Sequence, residues 1–381
     1  MNDLDALISY DPYDVWATPL FGRLKMDYNN GRLASRPLLA CCYLADYAFP
    51  QIVRSILKCP QTLSPHVLAM HALMENDRMS TAERSAVLDR FASMNVLDSG
   101  FGWGLPFRWY SKHAVYSDRI PYITHTPYVM EALLELAADD HIAERAMDMF
   151  RGTWELVSAL RVMAEGNGAT ALSYSPVEEG RIVNNAQSYA AFACALHAVH
   201  GDPNLRGEAV DLCLRLVNWI LREQRPDGSW LYYADEAPGN FMDCFHTCFI
   251  IKNVSKVMSL VPEISETAAG SMRKAIDFLD ARFLDRKRNL CRRFVHRVRH
   301  DPYRWDIYDQ AEYLGVLIDQ GRLDEAAGFR ENSRRIFSNG NDWWCRIDWF
   351  GRRWGWNFLR WGIMPFKYHS ARLDRVIRSG E

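Results

Sequence analysis

The feature that most limits how this chain can fold is a helical repeat with a period near sixty residues. Four segments begin a helical pattern after a loop rich in aromatic and polar residues. They start at His125-Thr-Pro-Tyr-Val-Met-Glu-Ala-Leu-Leu, Asn185-Ala-Gln-Ser-Tyr-Ala-Ala-Phe, Asp243-Cys-Phe-His-Thr-Cys-Phe and Asp306-Ile-Tyr-Asp-Gln-Ala-Glu-Tyr. The starts are 60, 58 and 63 residues apart. Beyond its first turn each segment is apolar nearly all round, the pattern of a helix buried on both sides. A more amphipathic helix is predicted after each, over 142–163, 205–223, 265–284 and 323–337. In the second of these, Val210, Leu214, Val217 and Leu221 share one face.

Six units of this period fill the 381 residues. The expected fold is therefore all-α: a single (α/α)6 toroid of six helical hairpins over residues 1–381, with long aromatic and polar loops at one face. A four-helix bundle with an extra domain and an open solenoid are the alternatives. The loops around Leu172-Ser-Tyr-Ser-Pro, Gly228-Ser-Trp-Leu-Tyr-Tyr and Cys291-Arg-Arg-Phe-Val-His-Arg are expected to form small hairpins but no sheet. Trp354, Phe358 and Trp361 share helical spacing and predict the last inner helix, with settling at a lipid headgroup layer as the second reading.

Charge adds a second constraint. The net charge of -2 conceals 21 Lys and Arg against 13 Asp and Glu in residues 282–381, and 24 against 34 in the remainder. Six of the 13 tryptophans lie between Trp343 and Trp361. A basic, aromatic C-terminal portion points to an anionic, flat-faced partner or a membrane surface. No apolar run is long enough to span a bilayer. The start, Met1-Asn-Asp-Leu-Asp, lacks the layout of a secretory signal, and nine scattered cysteines suit a reduced compartment. The expected location is cytoplasmic, with peripheral contact at the inner membrane face. No nucleic-acid module, phosphate-cradling glycine loop or serine elbow is visible.

Several motifs run in order along the chain: Tyr10-Asp-Pro-Tyr-Asp, Phe101-Gly-Trp-Gly-Leu-Pro-Phe-Arg-Trp, Thr124-His-Thr-Pro-Tyr, Ser173-Tyr-Ser-Pro, Val183-Asn-Asn-Ala, Asp243-Cys-Phe-His-Thr and Trp305-Asp-Ile-Tyr-Asp. Together they resemble a six-hairpin glycosidase-like toroid family associated with bacterial polysaccharide biosynthesis. That family has Asn at the position of Cys244 and a His-Ser pair at Tyr308-Asp309. The resemblance implies a carbohydrate-active protein. Gln224-Arg-Pro-Asp-Gly-Ser-Trp is also similar to the Gln/Trp turn of terpenoid cyclases, whose acidic cluster has no counterpart here.

Three chemistries follow from the residues. Asp243 and His246, three apart on a helix, share a face, and the carboxylate would orient the imidazole as a general base. Capping of the helix by Asp243 is the structural alternative. Glycoside hydrolysis is the leading reading: Asp243 with Asp306 or Asp309, on neighbouring inner helices and with Glu312 continuing the second stripe, would supply the two carboxyl groups it needs. Tyr308 with His246 could instead abstract a proton from a uronic acid, as in a lyase or epimerase. Arg304 and its neighbours Arg292, Arg293, Arg297 and Arg299 would then neutralise the carboxylate.

Trp103, Trp109, Trp230 and Trp305 lie in loops before inner helices and are candidates to stack on sugar rings. His125, Tyr174, Tyr122 and Asn185 are candidates for hydroxyl contacts. Cys244 and Cys248 do not make a zinc site with His246, because on a helix His246 points about 200° away from Cys244. No cofactor is expected. The expected partner is an acidic oligosaccharide or polysaccharide, free or lipid-linked. A non-catalytic glycan-binding scaffold and a terpenoid-cyclase-like toroid stay open beside the enzymatic readings.

Overall fold

A computed structural model describes residues 3–110, 115–177, 179–296 and 301–380. Three short helices come first: α1 (Pro19–Asn29), α2 (Arg36–Ala48) and α3 (Pro50–Ile56). Then α4 (Pro65–Glu75) and α5 (Thr81–Ser93) form the first hairpin. Ser80 and Glu83 close a reciprocal capping box that fixes where α5 begins. The chain continues through α6 (Thr126–Leu136), α7 (Ala143–Arg151), α8 (Trp154–Ala159), α9 (Asn184–His200) and α10 (Arg206–Glu223). It ends with α11 (Cys244–Leu260), α12 (Ser265–Arg282), α13 (Ile307–Asp319), α14 (Leu323–Phe337) and α15 (Met364–Ser379).

Helices α4, α6, α9, α11, α13 and α15 each pack on the next, and α15 returns to α4. This closes an inner ring of six. Outside it, α5 packs on α4, α7 on α6, α10 on α9, α12 on α11 and α14 on α13. Inner α9 shows why the repeat reads as it does: every side chain from Asn184 to Ala198 is buried. Outer α10 buries Ala209, Cys213, Leu216, Val217 and Ile220, a stripe one position away from part of the predicted face. Each Leu, Ile, Val or Phe buried in this core contributes about 1.5–3 kcal/mol. No described helix is long and apolar enough to cross a membrane.

The loops hold more strand than expected. Short hairpins form from β1 (Trp109–Tyr110) with β2 (Val115–Tyr116), and from β3 (Val162–Gly166) with β4 (Ala169–Leu172). Further along, β5 (Met242–Asp243) pairs with β8 (Phe294–His296), and β6 (Leu284–Asp285) with β7 (Leu290–Cys291). A four-stranded sheet joins β9 (Tyr303–Asp306), β10 (Ser338–Asn339), β11 (Asp342–Asp348) and β12 (Arg353–Trp356), contrary to the expectation of hairpins alone. Residues 162 and 163, expected in an outer helix, are the start of β3.

The segment from Trp343 to Trp361 is another correction. Trp354 lies in β12, and Leu359–Ile363 is a kinked turn rather than regular helix. The sixth inner helix begins only at Met364. Gly362 sits at φ 83°, and a Cβ there would stand 2.5 Å from the Tyr308 nitrogen, so neither the conformation nor the contact admits a side chain.

The Gln224–Trp230 turn is a structural clamp between outer helices. Gln224 Nε2 donates to the Gly228 and Ser271 carbonyls, both at 3.0 Å, and Trp230 Nε1 donates to the Ile220 carbonyl at 2.8 Å.

Candidate active site

The N-terminal ends of the inner helices open on a cavity of about 480 Å³. All six positions of the ring contribute. His66 comes from α4, His125 and Tyr128 from the start of α6, and Asn185 and Tyr189 from α9. Phe245, His246 and Phe249 come from α11, Tyr308 from α13, and Arg360 and Trp361 from the turn before α15. Trp109, Tyr116, Tyr122, Tyr174 and Tyr232 line it from the loops, and Tyr13, Lys25, Tyr28 and Tyr43 from the N-terminal segment.

Asp243 and His246 are paired as their spacing predicts. Nδ1 of His246 lies 2.8 and 2.7 Å from the two Asp243 oxygens. Asp243 is buried behind the ring, while His246 keeps part of its surface open. The carboxylate draws the proton to Nδ1, which leaves Nε2 as the basic nitrogen. Tyr232 and Phe245 pack against the imidazole, with centroids at 4.5 and 4.1 Å.

His66 and His246 project from opposite walls, because α4 and α11 stand three places apart in the ring. His66, Tyr122 and Asn185 are buried at 3%, 0% and 3% exposure. His66 Nε2, the Tyr122 hydroxyl and Asn185 Oδ1 have no hydrogen-bond partner within the protein. Burial, helped by the charge of Arg360, holds His66 well below the usual imidazole range. Burial and then Arg360 push His125 down to about 3. Both rings are neutral at physiological pH. Burial drives the Tyr308 hydroxyl well above its usual range, so it holds its proton, which disfavours it as a base.

Arg360 was not anticipated. Its Nη2 donates to Asp11 Oδ1 at 2.9 Å while Nε donates to Oδ2 of the same carboxylate. Arg54 in turn reaches the Asp11 carbonyl at 2.8 Å and Asp14 at 2.8 Å. The Tyr10-Asp-Pro-Tyr-Asp motif thus acts as a brace that holds a buried guanidinium at the cavity wall. His66 and Arg360 were both within reach of the period: one repeat before His125 falls on Pro65-His66, and one after Asp306 falls just beyond Arg360-Trp361.

The second carboxyl cluster does not face the cavity. Asp306 is fully buried, accepting from Tyr308 N at 3.0 Å, Arg346 Nε at 2.8 Å and Trp361 Nε1 at 2.9 Å. The β9–β11 register places Arg346 opposite Asp306, which explains the pair. Asp309 Oδ1 accepts from Phe245 N at 3.1 Å and ties α13 to α11. Burial, reinforced by Asp306, raises its carboxyl well above the ordinary range. Glu312 is buried with Lys252, whose amine also meets His369 Nε2 at 3.0 Å. Glu179 is the carboxylate in the cavity lining, bonded to Tyr174 N at 2.6 Å and to Ser175 and Tyr116.

The tryptophans divide. Trp109 lines the cavity and stacks on Tyr116 at 5.1 Å. Trp103 is fully buried with its Nε1 on the Phe91 carbonyl, and Trp230 is the buried clamp residue. Trp305 is buried in β9, outside the cavity lining. Arg304 lies between the Trp305 and Trp349 rings, at 5.1 and 5.5 Å, and not at the cavity. Arg293 bonds Asp301 and Asp306. Arg297 and Arg299 fall outside the described residues. Cys244 and Cys248 are buried with sulfurs 4.0 Å apart, away from the open edge of His246.

No protein-family model matches the chain, and no curated protein matches its sequence. Solved structures do. A cellobiose 2-epimerase from Bacillus thermoamylovorans superposes with a TM-score of 0.59 at 11% identity, over 82% of this chain and 86% of that one. A D-mannose isomerase gives 0.55 at 11%, over 82% and 87%. The GH76 α-mannanase of Bacteroides thetaiotaomicron gives 0.52 at 11%, over 83% and 87%. The fold is the (α/α)6 toroid. In this toroid the cavity at the inner-helix N-termini is the candidate site, with His246 on one wall and His66 opposite.

Proposed function

We propose that this toroid is a carbohydrate-active enzyme of bacterial polysaccharide biosynthesis or modification that works by proton transfer, as an epimerase, isomerase or lyase, rather than by hydrolysis. The observation that carries the reading is the Asp243–His246 pair opening onto an aromatic cavity. Asp243 fixes the imidazole and stabilises the cation formed when Nε2 takes a proton from a sugar carbon. His66, neutral and facing it, is placed to act on the opposite face of the same carbon. Tyr122, Asn185 and Tyr308 supply hydrogen bonds to hydroxyl or carbonyl oxygens, and Trp109, Tyr116 and Trp361 offer faces to the sugar ring.

Hydrolysis is disfavoured on geometry. It needs two carboxyls about 5–10 Å apart across one glycosidic bond, and Asp306 is spent on Arg346 and Trp361. The likeness of the fold to a sugar epimerase and an isomerase supports the carbohydrate class. An acidic or lipid-linked saccharide is the substrate class we favour: Lys25 brings a cation to the lining, Arg181 and Arg360 line it while paired with Asp235 and Asp11, and Glu179 is the carboxylate among the described lining residues.

The test is incubation with uronate-containing and neutral oligosaccharides in deuterium oxide. Deuterium should enter a sugar carbon in an epimerase or isomerase, or cleavage should leave an unsaturated sugar in a lyase, and His246→Gln and Asp243→Asn should slow either reaction by about 10²–10⁴-fold. Cleavage by water without carbon-bound deuterium, unaffected by these variants, would overturn the proposal.

A further inference from the structure

Thirteen of the 17 large apolar side chains exposed among the described residues belong to two segments, 20–56 and 349–356. They include Ile56 at 73%, Leu44 at 65%, Phe49 at 60%, Trp349 at 58% and Phe350 at 93% exposure. Monomeric proteins seldom concentrate apolar surface in this way. The two segments are joined in space. Helix α3 packs on β12, Gln51 Nε2 donates to the Trp356 carbonyl at 3.0 Å, and Arg352 reaches the Ala48 carbonyl.

Basic residues outnumber acidic ones among the exposed charges of these segments. Arg23, Arg36, Lys58 and Arg352 are exposed. The acids of the same segments are committed elsewhere: Asp27 to Arg32, Asp46 to buried Arg54, and Asp348 to Tyr47. Exposed Leu, Ile, Phe and Trp interleaved with an excess of cations complement an anionic bilayer, where the rings settle at the acyl boundary and the cations meet phosphates. The surface also adjoins the site, since Lys25, Tyr28, Asn29 and Tyr43 of the α1–α2 region line the cavity.

We propose that α1–α3 and the β11–β12 tip form a membrane-docking face for anionic lipid, which sets the cavity mouth at the bilayer surface. The proposal does not depend on which reaction the cavity carries out. It differs from the expectation for the C-terminal tryptophans, because Trp343, Trp354 and Trp361 are buried and the N-terminal helices supply most of the surface.

The test is co-sedimentation of the full chain with vesicles of phosphatidylcholine alone and of equimolar phosphatidylcholine and phosphatidylglycerol, with tryptophan emission recorded in parallel. Binding to the mixed vesicles, weakened by salt and accompanied by a blue shift, is expected. Phe350→Ser, and separately Ile52→Ser with Ile56→Ser, should each lower partitioning roughly tenfold without changing the circular dichroism. Val199→Ser, exposed elsewhere, should not. Failure to bind either vesicle would overturn the proposal. So would a concentration-dependent dimer that Phe350→Ser dissolves, since a second copy would then be the occupant.

Discussion

Replacing Asp306 by Asn separates a structural carboxylate from a catalytic one. In the native protein the Asp306 oxygens accept from Tyr308 N, Arg346 Nε and Trp361 Nε1, with the carboxylate fully buried. Asparagine keeps one oxygen and so keeps the cap on Tyr308. Its amide group would meet the Arg346 and Trp361 donors with donors of its own. The Arg346 guanidinium would then be buried beside an uncharged, mismatched partner. Removing one member of a buried pair costs about 3–5 kcal/mol. With about 2.1 cal/mol/K of unfolding entropy per residue, the 381 residues shift by a little over 1 °C per kcal/mol. Thermal unfolding followed by circular dichroism should therefore fall by about 4–6 °C. At a temperature where the variant stays folded, its deuterium-exchange rate should remain within about tenfold of the parent, because no reacting atom meets Asp306. An unchanged Tm with activity lost by more than a hundredfold would refute the reasoning and return Asp306 to catalysis.

Two further expectations concern stability. Gly362→Ala forces a side chain into a positive-φ position with Cβ 2.5 Å from the Tyr308 nitrogen. It should cost at least about 1–3 kcal/mol and slow turnover as well, since the same turn carries Arg360 and Trp361; parent-like Tm would contradict this. The second concerns pH. Burial holds His125 at about 3 and His197 at about 4, both below the unfolded value. The unfolded chain therefore binds protons first, and stability is lost as pH falls below the free imidazole value. By pH 5 each should account for about 2 kcal/mol. Denaturant midpoints at pH 7.5 and pH 5 read this directly, and equal midpoints would exclude it.

The architecture was legible without the fold, because a period near sixty residues with apolar inner helices is a local pattern written along the chain. So was the Asp243–His246 pair, since three residues on one helix fix their relation without reference to anything else. His125, Asn185 and Tyr308 were legible for a similar reason, since each stands at an inner-helix start and the starts face inward, while Trp109 and Tyr174 were legible as aromatics of the loops leading into those helices. Partners contributed from far along the chain were not legible, because only folding brings them together. Asp306 repeats the spacing of Asp243, yet β11 delivers Arg346 to it across the sheet and turns a candidate acid into an anchor. Trp103, Trp230 and Trp305 have the same side chain as Trp109, and only packing separates the core indoles from the half-buried one that lines the cavity. Arg360 becomes part of the site because Asp11, 349 residues away, fixes its guanidinium there. A side chain's chemistry is local, but its charge balance and access to substrate depend on what the fold brings beside it.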